Sequence, residues 1–73
     1  MPVMDWPGYA KRVLRAEMHR KGMSYADLVA ALDGAGVKET EANLRNKVSR
    51  GSFTAAFLFQ CLSAMGVSTL HLD

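Results

Sequence analysis

Glycines at positions 22, 34, 36, 51 and 66 cut this chain into short stretches whose apolar residues recur three and four apart. That punctuation constrains the fold more than any other feature. A strand alternates apolar and polar residues, whereas spacings of three and four line up one face of a helix. Stretches this short make helices of a few turns, and helices joined by tight glycine-marked turns pack as a bundle. With 73 residues the chain suits a single domain, 1–73, and needs most of its large apolar side chains for one core. The expected fold class is all-α, a compact bundle of four to five short helices.

The first helix is predicted over about 6–21. Asp5 is placed as its N-cap, and Pro7 falls in the first turn, where a missing N–H costs nothing. Trp6, Ala10, Val13, Leu14 and Met18 form its apolar stripe, and Gly22 ends it. A second helix starts at Ser24, where Ser24 and Asp27 resemble a capping box. Leu28, Val29 and Leu32 are its apolar residues, and Gly34 and Gly36 make 33–38 a loop. Thr40 caps a third helix that Gly51 closes. Leu44 and Val48 must face its core, opposite a polar stripe of Asn43, Asn46, Lys47 and Arg50. A fourth helix starts near Thr54, with Phe53 and Leu58 placed for a hydrophobic staple. Phe57, Leu58, Cys61, Leu62 and Met65 line its buried side, Phe59 lies off that stripe, and Gly66 ends it. Phe53, Phe57, Trp6 and the leucines are expected to share the core. The tail, 67–72, either caps that core or forms an edge strand, with Leu70 and Leu72 on one side.

The formal charge is +2 and the sequence pI about 9.0, which permits a nucleic-acid partner without requiring one. Lys11, Arg12, Arg15, Arg20 and Lys21 crowd the first third, and Lys38, Arg45, Lys47 and Arg50 the middle. Beyond Arg50 only His71 is basic.

Catalytic and cofactor chemistry finds no constellation. Cys61, the single cysteine, lies on an apolar stripe and reads as a small buried hydrophobe, so no catalytic residue is assigned and the chain is read as no enzyme. It cannot form an intrachain disulfide, which fits a reducing, cytoplasmic setting. His19 and His71 have no second ligand at metal-binding spacing, and no glycine loop carries a Walker-type lysine. No metal and no cofactor is expected. No apolar run reaches the length of a membrane span, and no signal peptide is read at the N-terminus.

Gly22-Met23-Ser24 followed by Asp27-Leu28-Val29 resembles the opening of the helix-turn-helix in lambda-repressor-like, Cro-type DNA-binding domains. Lys47-Val48-Ser49-Arg50-Gly51 looks like the end of their recognition helix, and 58–62 with 64–68 like the next helix and its exit. The resemblance spans about 13–70 and rests on several short matches in order. The phrases 39–44, 46–51 and 53–62 are also similar to a family of short bacterial proteins of unknown function. Two departures stand out. Asp33-Gly34-Ala35 lengthens the turn of the repressor pattern, and Glu39 and Glu41 sit where that pattern approaches the bases.

The resemblance implies a helix-turn-helix protein that binds duplex DNA and regulates transcription. Asn43, Asn46, Lys47, Arg50 and Arg45 are then the DNA contacts, since Asn pairs with adenine and Arg or Lys with guanine or phosphate. Lys11, Arg15 and Lys38 are the expected phosphate contacts. The same stripes also suit the solvated faces of amphipathic helices. The alternative is a protein–protein interaction module on the same fold. Tyr9, Tyr25 and Phe59 are candidates for the surface of a homodimer.

Overall fold

A computed structural model describes residues 5–70 and 72. Four helices follow one another: α1 (Trp6–Arg20), α2 (Tyr25–Gly34), α3 (Glu41–Arg50) and α4 (Ala55–Ala64). There is no strand among the described residues.

Each helix begins where a short polar side chain can satisfy an orphan backbone N–H. Asp5 Oδ1 accepts from the Gly8 amide at 3.1 Å, Thr40 Oγ1 from Asn43 at 3.1 Å, and Thr54 Oγ1 from Phe57 at 3.0 Å. Ser24 and Asp27 make the full capping box, each accepting from the other's amide at 3.1 and 2.9 Å. The Ser24 backbone N–H donating to the carboxylate, with the Ser24 hydroxyl beside it, holds the Asp27 carboxyl below its ordinary value.

The helix ends are as regular. The amides of Met23, Val37 and Val67 reach back to the carbonyls of Met18, Leu32 and Leu62 at 2.8–2.9 Å, and each brings its own apolar side chain against the core. This pattern corrects one expectation. Asp33 and Gly34 are helical, and the α2–α3 loop is 35–40. A glycine inside a helix costs only about 1 kcal/mol. The stop is Gly36, whose φ of +84° allows the reversal that Gly34 does not make. At the other boundary, Lys21 is the C-cap of α1 rather than its last helical residue.

Leu14, Met18, Leu28, Leu32, Leu44, Val48, Phe57, Cys61, Leu62 and Met65 form one buried cluster. α1 and α2 each pack against both α3 and α4. Trp6 is a second correction. It is 64% exposed and meets Tyr9 edge-on at 6.0 Å, because the first residue of α1 lies beyond the reach of the cluster. Phe53 sits against Phe57, ring centroids 5.6 Å apart, and both Phe53 and Leu58 pack on the cluster. In the tail, Val67 and Leu70 cap the core, whereas Leu72 is 66% exposed.

One contact fixes how α1 meets the α3–α4 turn. Gly51 is buried with φ +69°, and a Cβ there would stand 1.8 Å from the Pro7 carbonyl oxygen. Backbone lies on backbone, so no side chain fits at that position.

Candidate nucleic-acid interface

α3 is anchored by Leu44 and Val48 alone; its other eight residues are exposed. Asn46 falls midway between those two anchors, and at about 100° per residue it points directly away from the core. Asn43 and Arg50 lie on one side of it, Ala42 and Ser49 on the other. The helix is a ridge with a polar crest.

Both edges of the ridge are basic, and both carry an ion pair. On the α4 edge, Lys47 pairs with Glu39, whose side chain is only 9% exposed, and its ammonium stands 4.9 Å from the centre of the Phe57 ring. On the opposite edge, Arg45 Nη2 donates to Glu41 Oε1 at 2.9 Å while its guanidinium lies 5.2 Å over the Tyr25 ring. Glu41, in the first turn of α3, and Glu39, just before its cap, are therefore held against cations of that helix, which offsets their negative charge.

A groove follows each edge. The first, about 240 Å³, is lined by Lys47, Arg50, Ser52 and Thr54 over the rings of Phe53 and Phe57. The second, about 310 Å³, lies between α1, the start of α2 and α3, and brings Arg15 and His19 beside Tyr25 and Arg45. Cations from two helices thus flank one exposed crest.

The expected site residues divide accordingly. Asn43 and Asn46 are on the crest with Arg50, which has no carboxylate partner among the described residues. Lys47 and Arg45 are brought to opposite edges, each already paired. Arg15 joins Arg45 in the second groove. Lys38 pairs with Asp33 across the α2–α3 loop, and Lys11 is half-buried on α1; neither lines these two grooves. Ala42, Ser49, Ser52 and Thr54 were not singled out as site residues by sequence reasoning. For Ala42 and Ser49 the signal was available, since a helical projection from Leu44 and Val48 puts both near the crest.

Cys61 is fully buried, and burial, with Glu39 nearby, pushes its thiol up to about 11. It stays a protonated thiol at neutral pH. No cluster of three metal-ligating side chains occurs among the described residues; His71 lies outside them. No described helix is long and apolar enough to cross a membrane.

No curated protein and no solved structure matches the chain. Residues 6–70 match the family described as Domain of unknown function (DUF6471). That match takes in all four helices and both grooves, and the chain belongs to this family.

Proposed function

We propose that this chain is a DNA-binding module of helix-turn-helix type, acting as a transcriptional regulator, with α3 entering the major groove of duplex DNA. The observation that carries the reading is the ridge: one exposed helix with amides and an arginine on its crest and cations along both edges. B-form DNA offers a groove about 12 Å wide between two phosphate strands, which admits a helix and places phosphates on either side of it. Asn43 and Asn46 are suited to adenine edges and Arg50 to guanine or phosphate. Arg15 and Arg45 on one flank, and Lys47 on the other, are suited to phosphates. Lys38 and Lys11 play a peripheral part; the exposed pairing of Lys38 with Asp33 is cheaply exchanged for a phosphate. The single buried thiol fits a reducing, cytoplasmic setting.

Fluorescence anisotropy on random duplex DNA tests this. If Arg15, Arg45, Lys47 and Arg50 each neutralise one phosphate, log K falls against log salt with a slope of about −3 to −4. Arg50→Glu combined with Asn46→Asp should weaken binding at least about tenfold, the equivalent of 1.4 kcal/mol or more, with an unchanged helical circular-dichroism signal. Lys47 is a poor choice for charge reversal, since a glutamate there would face Glu39 and disturb the fold itself. No binding at low salt, or equal binding by the double variant, overturns the reading. A protein-interaction module is the second reading, favoured by Phe59, which is 62% exposed.

A further inference from the structure

His19 is the one histidine among the described residues, and the contacts assigned so far give it no part. It is exposed on α1 one turn beyond Arg15, so the two side chains share a side of that helix. Both line the groove of about 310 Å³ between α1, the start of α2 and α3. α2 contributes the Tyr25 phenol to that groove, and α3 contributes Glu41 and Arg45. Arg45 is already held there, its guanidinium 5.2 Å over the Tyr25 ring and its Nη2 donating to Glu41 at 2.9 Å. Arg15 and His19 pair with no carboxylate among the described residues. Their neighbours on α1, Glu17 and Arg20, pair with each other and line a different groove.

Imidazole is the side chain whose charge ordinarily changes between about pH 5 and pH 8. Cys61, pushed up to about 11, does not share that window. With a neutral imidazole the groove holds two guanidinium groups against one carboxylate, and protonation adds a third cation that doubles its net charge. Glu41 keeps hold of Arg45, which leaves the two cations of α1 to a ligand. A phosphate diester is anionic throughout this range. Beside an imidazole it favours the charged form and accepts a charge-assisted hydrogen bond from a ring N–H. We infer that His19 is a third phosphate ligand of this groove, beside Arg15 and Arg45, and that its protonation couples the hold on DNA to pH. The inference rests on the proposed function for the source of the phosphate, a strand of duplex DNA flanking the crest.

Two probes on the full chain separate the inference from that reading. Sulfate keeps its charge across this pH range and carries no bases. Added at constant ionic strength, it should shift the NMR signals of Arg15, His19, Tyr25 and Arg45 ahead of all others, and should keep the His19 ring protonated to higher pH. On random duplex DNA at fixed salt, affinity should rise about three- to tenfold from about pH 7.5 to about pH 5.5, and the salt slope should steepen by about 0.9. His19→Gln should lose both changes while binding within about twofold of the parent at the higher pH; His71→Gln should keep both. Position 19 is exposed, so the helical circular-dichroism signal should be kept; should it be lost, the sulfate titration of the unaltered protein decides. Sulfate shifts that are absent or centred elsewhere overturn the inference and leave the nucleic-acid reading standing, as does a rise in affinity that His19→Gln retains. No DNA binding at either pH, with the sulfate response intact, overturns that reading instead and leaves His19 a ligand for phosphate on another carrier.

Discussion

α3 and α4 are each ten residues long and adjacent in the chain, yet they show solvent opposite surfaces. α3 is held by two apolar residues one turn apart and exposes Glu41, Arg45, Lys47 and Arg50 together with both asparagines. α4 buries Phe57, Cys61 and Leu62, carries no charge at all, and still leaves Phe59 outside. The difference teaches how little burial a helix needs once its ends are satisfied. A side-chain cap is worth about 1 kcal/mol, and two fully buried aliphatic side chains about 3–6 kcal/mol between them. With that much secured, most of α3 is left for polar chemistry. α4 has apolar surface beyond what the core uses, and the surplus faces out.

The largest expected effect concerns the turn that sets these two surfaces side by side. Gly51→Ala brings a Cβ into the Pro7 carbonyl as well as straining a left-handed backbone, and should cost about 3 kcal/mol or more, a large part of the stability of a domain this small. Gly36→Ala is the control. Its φ is also positive but nothing lies within 4 Å, so only the backbone strain of about 1–2 kcal/mol remains. Circular-dichroism melts of the two variants should differ clearly; equal losses would show that the contact with α1 adds nothing.

Next comes a division within α3 itself. Lys47→Ala leaves the nearly buried Glu39 carboxylate without its partner and uncovers Phe57, and should lower stability by about 1–2 kcal/mol. Arg50→Ala touches no such partner and should stay within about 0.5 kcal/mol of the parent in the same melts. Matching losses at the two positions would mean that crest and edge are not distinct.

The smallest effect is at the start of α2. The Ser24 amide and hydroxyl hold the Asp27 carboxyl below the ordinary 3.8, so the capping box adds stability above that pH and loses it as the pH falls through the lowered value. Asp27→Asn should melt slightly below the parent at neutral pH, and the gap should close in acid. A gap independent of pH would mean that the carboxylate's charge is not what the cap uses.

Much of this architecture was legible before any coordinates, and the reason is local chemistry. Asp5, Ser24, Thr40 and Thr54 announce their helices because a capping side chain bonds only a few residues ahead. Leu44 and Val48, Leu28 and Leu32, and Leu14 and Met18 follow from helical spacing alone. The polar stripe on α3 was readable for the same reason. What was not readable depends on where elements end up relative to each other. Trp6 has the right spacing for the core but sits past its edge. Gly34 looked like a stop because the loop-forming role belonged to Gly36, two residues on. The partner of Lys47 could not be seen either, since it is a glutamate eight positions earlier, at the end of a loop whose course the sequence does not specify. The helix-turn-helix pattern, and the family of unknown function that the chain does belong to, were approached through short phrases in order rather than any one motif.

The buried contact between Gly51 and Pro7 has a consequence for how such a module can change. The seat of the α3–α4 turn on α1 is held by backbone against backbone, at a position with no side chain to resize. The exposed residues along the α3 crest are open to replacement, while the placement of the turn behind them is inherited unaltered. Surface chemistry and geometry vary on separate clocks.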